Sequence, residues 1–444
     1  MAEETLVKAK ALLYTLLMAV PLTIAAWYFN RSGPHAGQLT FWIFGLALVA
    51  VIPLATLLGT ITETLEDYLG ERLGGLLGAS FGNVPELAIG VALLIHAHTH
   101  VENAALVKAD LDIVHALLIG SVINNVLFVL GSSIFSGAIR NGRMRFSAES
   151  AAGYASMLAL AVVGLALPKI ATSVSGLKPS DIPGVEVNIT IPFAVVLLLS
   201  YVAYILSTVF KFGTTPHPPK RTAKHEHAVA RHEQAVTVDG SVVLGHQHGD
   251  ETEVEKIVRE EVAAQGKEEQ AERERLRALR RQHPYTVPIA LVSLAIVTLA
   301  TVIIAGLLVS VTDNAIVQSP ILTPLSVGLI LFPVVCNLGE QAGAMTSTWR
   351  NRMEGAMSLA AGSSVQVALF VTPALALVSF LLATGDPHLI LTLVFEPLQL
   401  IVIGLVAFVY ALVSLDGETT WLEGLQLLAF YAMVVAVAFV RPGL

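Results

Sequence analysis

Residues 81–90 read FGNVPELAIG, and residues 335–344 read VCNLGEQAGA. Each stretch sets a glutamate three positions after an asparagine inside an apolar run, Asn83 with Glu86 and Asn337 with Glu340. Both pairs are related by the same offset of 254 residues. Further along, Gly120-Ser121-x-x-Asn124-x-x-Leu127-Phe128-Val129 lines up with Gly362-Ser363-x-x-Gln366-x-x-Leu369-Phe370-Val371 at an offset of 242, which also pairs Asp112 with Glu354. One short match is weak; two ordered matches at corresponding places indicate an internal duplication, and in membrane transporters such paired segments mark the binding site.

The composition fits a membrane protein. Of 444 residues, 55% are hydrophobic and 14% charged, against about 25% charged in a soluble domain. Residues 211–285 hold 26 of the 60 charges, so the remainder is poor in charge. A soluble enzyme or nucleic-acid module is excluded, and the net charge of −8 gives no nucleic-acid footprint. No metalloprotease helix, serine elbow or phosphate loop appears, and no cofactor is expected. The single cysteine, Cys336, rules out an intramolecular disulfide framework and reads as a buried thiol.

Eleven apolar segments approach the roughly 20 residues needed to cross a bilayer. They fall at 9–28, 38–59, 72–98, 112–139, 148–168, 188–210, 286–310, 320–347, 354–384, 388–413 and 421–440. The expected fold is an all-α polytopic membrane protein with about 11 transmembrane helices, two inverted five-helix repeats plus one extra N-terminal helix. Residues 1–37 carry the N-terminal helix, 38–210 the first repeat, 211–285 a polar linker and 286–444 the second repeat. The acidic Glu3 and Glu4 make the first segment a retained helix rather than a cleaved signal peptide. Each half carries an acidic turn, ITETLEDYLGE at 61–71 and VTDNAIVQS at 311–319.

Lys/Arg bias, sharpest in RNGRMR at 140–145, puts the N-terminus and the linker in the cytoplasm, with the protein in the plasma (inner) membrane. Within the linker, 251–281 reads as a solvated charged helix. Seven of the 13 histidines lie in the linker, while His96, His98 and His100 form an H-x-H-x-H run at the outer end of the third apolar segment. Imidazole suits transition metals better than Ca2+, so these histidines read either as solvated groups or as metal-capturing ones. His96 and His100, with Asp112 and Glu354, are accessory site candidates.

A mid-membrane carboxylate costs about 2.5–3.5 kcal/mol on insertion scales, and this sequence carries that cost twice at matched places. Glu86 and Glu340 therefore read as an ion or proton site. Asn83, Asn337, Ser121, Ser363, Asn124, Asn125 and Gln366 add neutral oxygens. Hard divalent cations such as Ca2+ take six to eight oxygen ligands. Two close carboxylates out of water cannot both stay ionised once a cation leaves, so one site can serve Ca2+ and H+ in turn.

GNVPEL with GSVINNVLFVLG, and CNLGEQAGA followed by WRNRMEGAMSLAAGSSVQVALFVTP, resemble the two signature repeats of the cation/proton exchangers, a branch of the Ca2+/cation antiporters. The resemblance covers both halves. It implies ten core helices plus an N-terminal one, Glu86 and Glu340 as transport carboxylates, and ligands at Asn83, Ser121, Asn125, Asn337, Ser363 and Gln366. It also implies an antiporter exporting Ca2+ in exchange for H+ by alternating access within the lipid bilayer. Val84-Pro85-Glu86 leans instead toward sodium/calcium exchangers. An exchanger of the same fold driven by Na+, or selective for another divalent such as Mn2+, is the alternative; a cation channel is the reading from another class.

Overall fold

The computed structural model describes residues 13–32, 39–174, 182–208, 287–383 and 385–440. The linker, with its expected charged helix and seven histidines, lies outside the described residues. The chain divides into Met1–Ile205 with Val287–Leu444 as one unit and Leu206–Thr286 as another; the first holds everything below.

That unit is helical. In chain order we name α1 (Ala19–Ser32), α2 (Thr40–Phe81), α3 (Val84–Thr99), α4 (Ala104–Asn141), α5 (Ala148–Val174), α6 (Ile182–Thr208) and α7 (Val287–Gln318). There follow α8 (Pro324–Cys336), α9 (Leu338–Trp349), α10 (Met353–Leu382), α11 (Pro397–Val413) and α12 (Trp421–Val440). Among the described residues, eight helices are long and apolar enough to cross a membrane, or nine when α8 and α9, bent by 53° at their junction, count as one broken span. Two more apolar helices, α3 and α11, are shorter. Large apolar side chains such as Val163, Leu199, Ile296, Leu299, Phe408 and Met433 face outward, as lipid-facing positions do.

Two sequence expectations change. The acidic stretches at 61–71 and 311–319 are not turns: the first is wholly helical within α2 and the second helical through Gln318 at the end of α7. Leu, Glu and Ile in them are adequate helix formers, and neither holds a proline before Pro320. In consequence the segment expected at 38–59 and the first ten residues of the one expected at 72–98 share one helix, which breaks only after Phe81, and the rest of the latter forms α3. In the segment expected at 388–413 the α-helix starts only at Pro397, after a short 3-10 turn at Pro387–Leu389. Proline fits the first helical turn, and a capping box between Glu396 and Gln399 fixes that start.

The central helix is α4. It is 89% buried, against 11% for the Leu13–Arg31 span. It crosses α8 at backbone distance: a Cβ on Gly120 would stand 2.4 Å from the Leu329 carbonyl oxygen, and one on Gly328 2.6 Å from the Ile113 oxygen. Small residues permit such crossings where no hydrophobic force drives helices together. At one end of the bundle, Met144–Arg145 pairs with Glu418–Thr419 as a two-residue antiparallel ladder. Arg143 and Arg145 both reach the Glu418 carboxylate, at 3.0 and 2.9 Å.

Candidate cation-binding site

Each signature stretch breaks its helix at the asparagine. Asn83 has φ −101° and ψ 22°, and Asn337 φ −95° and ψ 7°. The chain then turns straight into the next helix, with Leu87 N–H bonded to the Asn83 oxygen and Gln341 N–H to the Asn337 oxygen. Pro85, in the first turn of α3, needs no hydrogen-bond acceptor there. The Asn337 amide donates to the Pro333 carbonyl at 2.9 Å, serving a backbone group near the break. Glu86 and Glu340 thus both sit in the first turn of a helix, where the unpaired N–H groups favour negative charge.

The candidate partners lie on α4 and α10, whose regular winding is widened at or beside them. A π-helical turn covers Asn124–Val129 in α4, and two others, Ser358–Gly362 and Val367–Val371, flank Ser363–Gln366 in α10. Such turns cluster at functional sites because they re-aim side chains within a helix.

One chain of hydrogen bonds links the two signature regions. The Asn83 amide donates to Gln366 Oε1 at 2.7 Å. Ser363 Oγ stands 3.1 Å from Asn83 Oδ1 and 2.9 Å from Glu340 Oε1. A hydroxyl has one hydrogen, so Ser363 serves only one of these acceptors at a time. Other polar atoms of the two signature regions go unpaired. Both oxygens of Glu86, Oε2 of Glu340, Oγ of Ser121 and both amide atoms of Asn125 are buried without a hydrogen-bond partner. Glu86 is 1% exposed and Asn125 fully buried, while Glu340 is half-buried. Glu86 lies close enough to Glu340 for their charges to interact, and Cys336 is buried just before the second break.

The structure therefore brings together Asn83, Glu86, Ser363, Gln366 and Glu340, with Asn337 beside Glu86. Asn124 turns away from its neighbour Asn125 and accepts a hydrogen bond from Tyr431 of α12 at 3.3 Å. Of the accessory candidates, Asp112 pairs with Lys108 at 3.9 Å on the exposed start of α4. Glu354 accepts the Ser147 N–H at 2.7 Å ahead of α5. Neither has a recorded bond to the glutamate pair. His96 and His100 have ring centroids 4.3 Å apart with their planes tilted by 44°, and His96 contacts Asp110 and Asp313. Sequence reading passed over Asp110 and took Asp313 only as part of an acidic turn. Isolated aspartates in separate helices give no spacing signal, and only packing joins them.

The polar chemistry suits a hard cation: two carboxylates, amide and hydroxyl oxygens, and buried atoms that lack partners. The family model described as sodium/calcium exchanger protein matches residues 39–210 and 289–440. A Ca(2+)/H(+) antiporter of Synechocystis sp. is 30% identical, covering 97% of each chain. A vacuolar calcium ion transporter of Schizosaccharomyces pombe is 31% identical over 96% of this chain and 84% of its own length. Among solved structures, native YfkE superposes with a TM-score of 0.66 at 23% identity, covering 97% of this chain and all of its own. A crystal structure of the H+/Ca2+ exchanger CAX gives 0.57 at 13% identity, covering 98% of this chain and 89% of that one. At those identities the structures testify to the fold alone. The family match spans most of both apolar halves, and the chain belongs to the sodium/calcium exchanger protein family, whose members are integral membrane transporters and not enzymes.

Proposed function

We propose that this protein is a secondary active antiporter that exports Ca2+ in exchange for H+ by alternating access, with Glu86 and Glu340 as the groups that carry both ions. The observation that carries this reading is the set of buried carboxylate, hydroxyl and amide atoms without partners in the two signature regions, which the Gln366–Asn83–Ser363–Glu340 chain links. A buried polar group without a partner costs about 1–3 kcal/mol, and the residues of the two signature regions carry six such atoms. Five of the six are oxygens, and a divalent cation supplies what those oxygens lack.

The same residues account for exchange. Two carboxylates held close and out of water cannot both remain charged alone. One Ca2+ neutralises them, and so do two protons. Ser363 fits either state: its hydrogen points to ionised Glu340, or turns to Asn83 when a protonated Glu340 donates to Ser363 Oγ. The two helix N-termini favour the ionised form and so the bound cation. Curated relatives named as Ca(2+)/H(+) antiporters at about 30% identity support the same pair of ions.

The matched conformations of Asn83 and Asn337 support two repeats, 38–210 and 286–444, after an N-terminal helix in 1–37. Eleven crossings result when α3, α11 and the bent α8–α9 pair are counted with the eight long helices. The Lys/Arg bias supports a cytoplasmic N-terminus and linker, and the proposed place of residence is the plasma (inner) membrane.

The test is Ca2+ movement in proteoliposomes with one gradient imposed at a time. Uptake under a pH gradient, abolished by Glu86→Gln and by Glu340→Gln, is expected. Uptake under a Na+ gradient at clamped pH, with none under the pH gradient, overturns proton coupling. Faster passage of Mn2+ than of Ca2+ overturns the assigned cargo.

A further inference from the structure

We propose that His96, Asp110 and Asp313 form a second cation site, separate from the glutamate pair, that takes a divalent transition metal of the Zn2+ class. The three residues come from different helices: His96 from the last turn of α3, Asp110 from the early part of α4, and Asp313 from the last turns of α7. His96 Nδ1 lies 2.9 Å from Asp110 Oδ2 and 3.8 Å from Asp313 Oδ2. The three ligand atoms all fall within 4.8 Å of one another. Zn2+ binds imidazole nitrogen and carboxylate oxygen at about 2.0–2.2 Å, so tetrahedral ligands stand about 3.4 Å apart. Closing the cluster onto an ion needs only small side-chain shifts.

Charge points the same way. Asp110 is almost fully buried, with a side chain 2% exposed, and His96 and Asp313 are 17% and 28% exposed. Two carboxylates face one imidazole, so even a protonated His96 leaves a negative charge. Among the described residues no Lys or Arg lies within ion-pair distance of either aspartate; Lys108, two residues from Asp110, pairs with Asp112 instead. His100 completes the surroundings. Its Nδ1 bonds to the His96 carbonyl oxygen at 2.9 Å, which makes Nδ1 the protonated nitrogen and leaves Nε2 with the lone pair. His100 also acts electrostatically on both aspartates. One imidazole with two carboxylates, and a second imidazole beside them, selects a borderline metal over Ca2+, which favours oxygen alone.

The site is distinct from the glutamate pair. Ten residues of α3 separate His96 from Glu86, about 15 Å along the helix. On α4, eleven residues part Asp110 from Ser121. A metal there ties α3 and α4, which carry Glu86 and Ser121, to α7.

Co2+, which replaces Zn2+ and absorbs visibly when four- or five-coordinate, is the probe, titrated into purified full-length protein and displaced with Zn2+. One equivalent of Zn2+-displaceable absorption is expected, with affinity falling at least about 100-fold in Asp313→Asn and in His96→Gln. It should persist in Glu86→Gln, in Glu340→Gln and in a chain whose linker histidines 217–248 and 283 are alanine. Zn2+ should also raise the Tm of the wild type and not of Asp313→Asn, a substitution at a part-exposed position that leaves the bundle packing intact. Absorption that survives both site substitutions, or that vanishes with the linker histidines or with either glutamate, overturns the proposal.

Discussion

Asn83 and Asn337 hold nearly the same backbone conformation at two separate helix breaks, each three residues ahead of a glutamate in the next helix's first turn. Their side chains nevertheless do different work. The Asn83 amide spans to α10 and donates to Gln366, whereas the Asn337 amide turns back to Pro333 four residues earlier. Backbone likeness thus coexists with unlike bonding, and the two glutamates meet different neighbours. Ser363 holds Glu340, while Glu86 has no hydrogen-bond partner.

Both glutamates should be indispensable despite that difference. Glu86→Gln and Glu340→Gln should each leave under about 1% of pH-driven Ca2+ flux, since each removes a charge and a proton carrier, a loss of more than about 2.7 kcal/mol. Fluorescent Ca2+ reporting in vesicles of matched protein content measures it. Robust flux from either variant would falsify the assignment.

Ser363→Ala should act more gently. It removes the one hydroxyl shared by Glu340 and Asn83, leaving a buried acceptor unpaired at about 1–3 kcal/mol. The apparent KM for Ca2+ should rise about tenfold, with the protein still inserted and folded. An unchanged KM removes Ser363 from the site.

Proton competition has a definite sign. Acidification protonates the carboxylates and weakens Ca2+ binding, so at equilibrium without gradients the apparent Kd for Ca2+ should rise as pH falls. In Glu340→Gln the slope of log Kd against pH should drop by about one proton per ion. Calorimetry on detergent-solubilised protein reads both quantities, and a Kd indifferent to pH excludes a shared site.

Packing at the α4–α8 crossing predicts a contrast between two glycines. Gly120→Val places a branched side chain where a single Cβ already stands 2.4 Å from the Leu329 oxygen, so the helices must part and the Tm should fall sharply. Gly306→Ala meets nothing within 4 Å and should keep or raise the Tm, helix propensity favouring alanine by about 1 kcal/mol. Thermal unfolding of the two variants side by side checks the pair.

The linker should prove dispensable for exchange. Replacing residues 215–250 by a Gly/Ser sequence of equal length is expected to leave pH-driven Ca2+ flux within about twofold, because that polar stretch holds no part of the two signature repeats. Abolished transport in a correctly inserted variant reverses this expectation.

Much of the protein was legible without coordinates. Apolar run length is a local property, so a membrane-embedded helical bundle and most of its segments could be read directly, as at 421–440, where α12 begins and ends as expected. The two glutamates were legible because a carboxylate in an apolar run is costly, and a cost carried twice at one offset is a pattern. Helix boundaries were less so: no strong breaker interrupts 60–72, so α2 runs on to Phe81, and only Gly82 with Asn83 and Pro85 stops it. Tertiary structure alone decided which oxygens are spoken for. The repeat places Asn124 opposite Gln366 in sequence, yet Asn124 answers to Tyr431 and Gln366 to Asn83. It also drew His96, Asp110 and Asp313 together from three helices. A hydrogen bond or a shared ion depends on distances of a few ångströms between segments far apart in the chain, and those are set by how helices cross, at contacts such as Gly120 on Leu329, not by spacing within any one of them.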